Sequence, residues 1–279
     1  TKLQGIQQLL IQQVSSLNFP TTTSASDLAS LNRARSTCIK QVDEVINGML
    51  ERCIRAGGEA PDFFKRLNAA EADGSLAHST AASQVRNVLV ASFLTTGILL
   101  TNAIRESLLK EGFWEALREE AESSPEIDSP HSAEDLQRPL ATAATDETAR
   151  LFPPVWFVGR EAVKDLSLGE VEIKKGTLVH TILLFHQRDP EIWSDPLTWN
   201  PERFQSQQKS LIAAGNIPFL TGRHICLGKS FARAEVTLLL SELARRYSPR
   251  LANRTKSTEL IDGTVLAPTS SIPATMGQR

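Results

Sequence analysis

Apolar residues recur at helical spacing over most of the first half of the chain. Asp27 is a helix-capping residue type, and the pattern after it predicts a helix to about Ala56, where two glycines end it. A second helical pattern runs without interruption from Ser79 to about Ala121. Its middle, VLVASFLTTGILLT at 88–101, is apolar on nearly every face, so we expect this helix to run through the core.

Shorter segments complete the pattern. Helices are predicted at Thr1–Leu17 and at His131–Leu151, the second of which is stopped by a pair of prolines. Short β-like runs over 156–183 are broken by glycines, and the segment 187–204, rich in proline and aspartate, predicts an ordered meander. A last amphipathic helix follows residue 228. The chain is therefore expected to be mainly α with a small β region.

Composition narrows the class of protein. The chain has 279 residues, with 30 basic and 32 acidic side chains, so no excess of positive charge indicates a nucleic-acid partner. Its three cysteines, Cys38, Cys53 and Cys226, are too few and scattered for a disulfide framework and predict free thiols in the reducing cytoplasm. The apolar run at 88–100 is too short to span a membrane. Because the chain starts at threonine, removal of an upstream membrane anchor stays an alternative.

The stretch Pro218–Gly228, PFLTGRHICLG, places Cys226 directly before the last helical pattern. A thiolate at a helix start is favoured by the positive end of the helix dipole. The nearby glycines let the backbone turn tightly and let a flat group approach. The residues therefore indicate a metal or cofactor ligand. Buried free cysteines are common, so a structural cysteine is the alternative.

This stretch is similar to the haem-binding signature of the cytochrome P450 family, F-x-x-G-x-[R/H]-x-C-x-G. The matching residues are Phe219, Gly222, His224, Cys226 and Gly228, and LGKSFARAE continues the match. The resemblance implies that haem b is the cofactor and that Cys226 is the axial thiolate of its iron. It also implies that Phe219 lies beside the sulfur and that His224 meets a propionate.

A second match follows from Glu147 and Arg150, which share a helix face at i,i+3 and can form an ion pair. A surface pair of little energetic value is the alternative. The sequence DETARLFPPV resembles the Glu-x-x-Arg motif of the family, and Arg203 in NPERF stands where its third partner is expected. The resemblance implies a structural network that holds the meander behind the haem. Arg160 falls where family members often place an arginine on a haem propionate.

A third match concerns oxygen activation. The stretch 91–96, ASFLTT, resembles the family motif A-G-x-[D/E]-T-T, with Thr95 in the catalytic alcohol position. Ser92 replaces the glycine and Leu94 replaces the acid, and leucine cannot relay protons. The alternative is that Thr95 is a helix threonine that bonds back to a carbonyl.

The resemblance is good from about Ser79 and weak before it, and the early part of the family pattern is missing. It implies an N-terminally shortened, mainly α haem-thiolate fold with a small β region. An N-terminal helical segment at 1–78 would match, in part, the helices that precede the core helix. Residues 79–279 would form the haem-binding catalytic core.

The resemblance implies a monooxygenase that oxidises a small or medium apolar molecule with dioxygen and electrons from a redox partner. Because Leu94 replaces the acid, a haem-thiolate enzyme of different chemistry is one alternative: a peroxide-dependent oxygenase, an isomerase-like catalyst or a C–C coupling enzyme. A truncated, non-catalytic domain is another. Basic residues flanking the cysteine predict a face for an acidic ferredoxin or a reductase, with a solvated surface as the alternative: Lys209, Arg223, Lys229 and Arg233. The candidate apolar pocket lining is Phe93, Val155, Trp156, Phe157 and Leu266.

Overall fold

The structure, a computed structural model, describes most of the chain: residues 25–56, 62–125, 137–205, 215–252, 260–262, 265–268 and 272–278. The helix predicted at Thr1–Leu17 lies outside these residues. Contacts group the chain into two compact units, Thr1–Leu94 and Thr95–Arg279, and each is described by itself. The division predicted at residues 78 and 79 stays a prediction.

Two helices and the first half of a third form the N-terminal unit. Helix α1 spans Ala25–Ala56, α2 spans Asp62–Ala72, and α3 spans His78–Leu109. Helix α1 is described as far as Ala56, and the glycines predicted to stop it lie outside the described residues; Asp27, predicted to cap it, lies inside the helix. A small core forms where buried apolar residues of α1 and α3 meet: Val42, Ile46 and Val85.

The long helical pattern after residue 78 forms two helices rather than one. Helix α3 ends at Leu109, and α4 runs from Phe113 to Ser123. The uninterrupted helix predicted over 79–121 is therefore wrong at 110–112. Gly112 adopts a φ of 70°, a left-handed conformation that glycine takes without a steric penalty. Periodicity does not reveal this turn, because the apolar pattern continues on both sides of it.

The expectation that the middle of α3 runs through the core holds for only part of the helix. Ile98, Leu99 and Ala103 are buried in the C-terminal unit. Val88 and Phe93, by contrast, remain 48 % and 45 % exposed. The described residues therefore leave the earlier part of this apolar helix uncovered.

The same helix bears on the membrane prediction. Within the described part of the chain, Ser83–Leu109 is long and apolar enough to cross a membrane by length and composition, and little of its most apolar stretch is buried. The core helix of a soluble protein passes the same test, so this finding is weak support for a span. The expectation that the chain has no membrane span stays a prediction.

Glu106 is a buried carboxylate near the end of α3, paired with its neighbour Arg105. Burial raises the pKa of the Glu106 carboxyl, although Arg105 acts in the opposite direction. An acid with a raised pKa stabilises the fold below its unfolded pKa, and that contribution is lost as pH rises through the folded pKa.

Glu106→Gln is therefore expected to stabilise the protein relative to the unsubstituted chain at about pH 8, and to change little at about pH 4, where the carboxyl is protonated. The amide carries no charge at either pH, so it keeps the contribution that the carboxylate loses. Thermal unfolding at both pH values measures the difference. A stability difference of the same size at both would contradict the prediction.

Helix α5 spans Pro139–Leu151; residues 131–136 of the predicted helix lie outside the described residues, and 137–138 are not helical. Proline suits the first helical position, where its missing N–H would have no partner. Glu120 of α4 accepts the next two backbone N–H groups, from Leu140 at 2.6 Å and from Ala141 at 3.0 Å. This carboxylate fixes the start of α5 by filling its unpaired donors.

The β part consists of short antiparallel pairs and one helical turn. Helix α6 is the single turn Leu183–His186. Within the described residues the strands pair two by two: β1 (Phe157–Glu161) with β4 (Leu178–Ile182), β2 (Leu166–Leu168) with β3 (Val171–Ile173), β5 (Tyr247–Leu251) with β8 (Ala274–Gln278), and β6 (Leu260–Asp262) with β7 (Leu266–Pro268). The predicted fold class, mainly α with a small β region, is confirmed.

Helices α4, α5 and α7 (Lys229–Arg246) pack together with the end of α3 as the core of the C-terminal unit. The side chains at its centre are almost inaccessible to water: Ala103, Leu117, Ala144, Val236, Leu240 and Ala244. Small alanines alternate with leucine and valine, which lets the helix axes approach closely. The helix that follows Cys226 is thus part of the buried core of the C-terminal unit.

Helices α4 and α7 cap each other. Arg118 of α4 donates to the Ala244 carbonyl at 3.1 Å and to the Tyr247 carbonyl at 3.4 Å, at the end of α7. Arg245 of α7 donates in return to the carbonyls of Ala121 and Ser124, at the end of α4. The last carbonyls of a helix have no partner within it, so each arginine satisfies groups the other helix leaves open.

Candidate functional site

Cys226 lies in a tight loop between a 3₁₀ turn, Gly222–His224, and the start of α7. Its N–H donates to the Phe219 carbonyl at 2.9 Å, which closes the loop. Gly222 has a φ of 65°, and an added Cβ there would meet nothing within 4 Å. Position 222 therefore favours glycine because of its backbone conformation, and not because a side chain would clash there.

The Cys226 thiol is exposed and unpaired, so the alternative of a buried structural cysteine is wrong. Large apolar side chains beside it in sequence are also exposed: Ile225 at 47 %, Leu227 at 99 % and Phe231 at 67 %. A Cβ added at Gly228 would lie 3.9 Å from the Cys226 sulfur, so this glycine keeps that side of the thiol open. An exposed thiol with exposed apolar neighbours fits a flat, apolar, metal-bearing group such as haem.

The two residues predicted to meet haem propionates, His224 and Arg160, are both exposed. His224 ends the 3₁₀ turn before Cys226 and is exposed. Arg160 lies on β1 and is exposed, with its Nη1 donating to the Gly159 carbonyl at 2.8 Å. Both side chains are therefore accessible to an acidic ligand in the C-terminal unit.

Arg150 of α5 is completely buried, so the alternative of a surface ion pair with Glu147 is wrong. Its Nε and Nη2 donate to the two oxygens of Glu147 at 2.7 and 2.8 Å. Its Nη1 donates to the carbonyls of Gln187 and Pro196 at 2.7 and 2.9 Å. The guanidinium also lies 5.1 Å from the ring centre of Trp193. A charge so deeply buried requires this full set of acceptors.

Glu147 joins this arginine to the meander. One of its oxygens also accepts Arg203 Nε at 3.1 Å and the Asn200 N–H at 2.8 Å. Arg203 in turn donates to the Ser194 carbonyl at 2.9 Å and the Asp195 carbonyl at 3.3 Å. The structure thus brings Glu147, Arg150 and Arg203 together, and the network holds the meander chiefly through backbone carbonyls.

Gln187 links the meander to the segment that leads into the cysteine loop, and the sequence reasoning missed it. The residue is fully buried. Its amide donates to Asn216 Oδ1 at 2.9 Å and accepts the Ile217 N–H at 3.3 Å, while its carbonyl accepts Arg150. A glutamine in a loop has no sequence signature, so only its place directly before the Arg-Asp-Pro turn could have drawn attention.

Thr95 lies on α3 and is half-buried, and it belongs to the same unit as Cys226. Leu94, the preceding residue, is half-buried as well and is the last residue of the N-terminal unit. Ser92, which stands in the glycine position of the motif, donates to the Leu89 carbonyl at 3.4 Å. The catalytic role of Thr95 stays a prediction.

The basic residues that flank the cysteine loop differ in exposure and pairing. Arg223 and Lys229 are exposed. Arg233, however, is engaged by Asp146 of α5 with two bonds of 2.6 Å. Lys209 lies outside the described residues, as do the side chains of Cys38 and Cys53.

A sequence model of the family described as Cytochrome P450 matches residues 1–275. The chain belongs to the cytochrome P450 family, whose members bind haem b. The match also covers the first 78 residues, where the motifs had indicated only a weak resemblance.

Individual relatives agree with this assignment. The chain is 31 % identical over 166 residues to Cytochrome P450 714A2 of Arabidopsis thaliana, covering 58 % of the chain and 32 % of that protein. It is 28 % identical over 264 residues to a flavonoid-6-hydroxylase of Ocimum basilicum, covering 89 % of the chain and 49 % of that protein. The chain thus spans about a third to a half of the length of these curated relatives.

Proposed function

We propose that the chain is the haem-binding part of a monooxygenase that oxidises a small or medium apolar molecule with dioxygen and electrons from a redox partner. One observation carries the proposal: the exposed Cys226 thiol lies at the start of a core helix, within the family signature. Family membership supports the general reaction class. The reducing cytoplasm is proposed as its location, because the three cysteines suggest no disulfide framework.

In this proposal Cys226 holds the iron as a thiolate, and Phe219 lies beside the sulfur. His224 and Arg160 bind the two propionates, which their exposed cationic or ionisable side chains suit. Haem, when bound, supplies activation of dioxygen, and the thiolate tunes it through electron donation.

The proposal that the substrate is apolar is supported by the candidate pocket residues of the C-terminal unit. Trp156 and Phe157 pack edge to face with ring centres 4.6 Å apart. The Leu266 N–H donates to the Pro154 carbonyl at 2.8 Å, next to Val155, which is 38 % exposed. Aromatic and aliphatic side chains gathered in this way favour an apolar ligand.

The absorption spectrum of the reduced protein with carbon monoxide tests the proposal. A strongly red-shifted Soret band is expected, because a thiolate ligand donates electron density to the iron. The measurement is made on the protein as purified and again after reconstitution with haem b. A protein that binds no haem in either case, or that binds haem without the red-shifted band, would overturn the proposal.

A second candidate function is haem-thiolate chemistry that uses peroxide, and Leu94 is the observation that favours it. Thr95 is preceded by an aliphatic side chain, so position 94 has no acid that could relay protons. Peroxide delivers oxygen already reduced and protonated, which removes the need for that relay. Turnover with hydrogen peroxide, and none with NAD(P)H plus a reductase, would favour this second function.

Restoring the acid separates the two candidates. If the protein is a monooxygenase limited by proton delivery, Leu94→Asp is expected to raise oxygen-dependent turnover by up to about a hundredfold. Val88→Asp, an exposed position on the same helix, is the matched control and is expected to have no effect. Oxygen-dependent turnover that is unchanged in Leu94→Asp would count against the proton-relay explanation.

A further inference from the structure

Helix α7 carries the candidate iron ligand at its start. The helix begins at Lys229, whose N–H donates to the Cys226 carbonyl at 3.2 Å. The next bond, from the Ala232 N–H to the Gly228 carbonyl at 2.8 Å, continues this backbone into the helix. A helix moves as a unit because each residue is bonded to the fourth one along. Contacts that fix the first turns of α7 therefore also restrain the backbone of Cys226, from which the sulfur projects.

Arg233, in the second turn of α7, is bound to Asp146 of α5 by a two-pronged ion pair. Its Nε and Nη2 donate to different oxygens of the carboxylate, each at 2.6 Å. The Asp146 side chain is 17 % exposed and that of Arg233 is 40 % exposed, so the pair is only partly screened by water. The hydrogen bonds to Asp146 raise the pKa of Arg233. A bidentate pair fixes direction as well as distance, which apolar packing alone does not.

Two further polar contacts follow on the same stripe of α7. Thr237 and Ser241 lie four and eight residues after Arg233, at positions that share one face of a helix. Thr237 Oγ1 donates to Thr145 Oγ1 at 3.2 Å, and Ser241 Oγ accepts Arg138 Nη1 at 2.7 Å. Arg233 is the member of this stripe closest in sequence to the cysteine loop.

The partner of Arg233 stands directly beside the network that holds the meander. Asp146 and Glu147 are consecutive, so their side chains point about 100° apart around the axis of α5. Glu147 binds Arg150 and Arg203, while Asp146 binds Arg233. One turn of α5 therefore fixes both the meander and the start of the helix that follows Cys226.

We infer that Asp146 and Arg233 are positioning residues that hold the Cys226 sulfur where it binds iron, acting through the first turns of α7. The inference rests on the proposed function, since the position of the sulfur matters to the reaction only if Cys226 is the ligand. It replaces the interpretation of Arg233 as a surface charge for docking an electron donor. A docking charge would need no carboxylate partner on α5.

Amide hydrogen exchange of the haem-free full chain tests the positioning role without any reaction. Arg233→Gln and Asp146→Asn are each expected to speed exchange over residues 219–229 about fivefold, because the loss of a partly exposed charged bond raises the population of open states. The control is Arg246→Gln, which breaks an exposed pair with Glu242 at the far end of α7. Its exchange over 219–229 should match that of the unsubstituted chain.

A spectroscopic arm uses the haem-loaded protein. Arg233→Gln and Asp146→Asn are expected to lose the red-shifted carbon monoxide band on warming about fivefold faster than the unsubstituted protein. Arg233→Lys keeps the charge but not the two-pronged geometry, so it should lose the band at an intermediate rate. A docking role predicts instead that Arg233→Lys and Asp146→Asn keep the band as long as the unsubstituted protein does.

The outcomes separate the two proposals. Unchanged exchange and an unchanged band in both Asp146→Asn and Arg233→Gln would overturn the positioning role and leave the proposed function standing. An unsubstituted protein without the band would overturn the proposed function. Faster exchange over 219–229 in both variants, with the Arg246→Gln control unaffected, would support the positioning role.

Discussion

Glu147→Gln is expected to lower the free energy of unfolding by about 3–5 kcal/mol, the cost of leaving one partner of a buried ion pair uncompensated. The Glu147 side chain is fully buried and accepts donors from Arg150, Arg203 and the Asn200 backbone. The amide has nearly the same shape, so the change removes charge rather than volume. The Arg150 guanidinium, completely buried, then faces an N–H₂ group that cannot accept its hydrogen bonds.

Urea unfolding followed by tryptophan fluorescence measures this loss, with Glu51→Gln as the matched control. Glu51 pairs with Arg55 on the surface of α1, where both side chains are 68 % exposed. Exposed pairs contribute little, so the control should unfold at the same urea concentration as the unsubstituted chain. If Glu147→Gln also unfolds there, the network does not stabilise the fold in the way its geometry implies.

Cys226→Ala is expected to abolish the red-shifted carbon monoxide band completely while leaving the fold intact. The thiol is exposed, so its removal leaves no cavity in the core. The backbone bond from the residue 226 N–H to the Phe219 carbonyl does not depend on the side chain. Loss of the band would therefore report on the ligand and not on unfolding.

The other two cysteines provide the matched controls for this experiment. Cys38→Ala and Cys53→Ala make the same chemical change elsewhere in the sequence and should keep the band. Far-ultraviolet circular dichroism checks that all three variants retain their helix content. A band that persists in Cys226→Ala would remove this residue as the iron ligand.

The parts of the site that the sequence predicted are those in which residue types recur at fixed short spacing. Cys226 stands among typed neighbours within one loop, and Glu147 and Arg150 share a helix face at i,i+3. Arg203 is distant in sequence, and only the resemblance to the family connected it to Glu147. The structure adds the burial of this network, which spacing alone leaves open because surface pairs have the same spacing.

Contacts between different helices and loops could not be predicted from the sequence. Asp146 and Arg233 are ordinary helix residues, and nothing in a single chain indicates that α5 and α7 meet at these positions. Gln187 acts through one carbonyl and one amide in a loop, where no periodicity exists. The turn at Gly112 was hidden for the opposite reason, since the helical pattern is in phase on both sides of it.

The mutual capping of α4 and α7 makes these two helices one cooperative element. Fraying the end of either helix withdraws an arginine that donates to carbonyls of the other: Arg118 serves Ala244 and Tyr247, and Arg245 serves Ala121 and Ser124. Neither helix can therefore melt alone without raising the free energy of its neighbour. The two helices are therefore expected to unfold together, and the cysteine loop is attached at the start of α7.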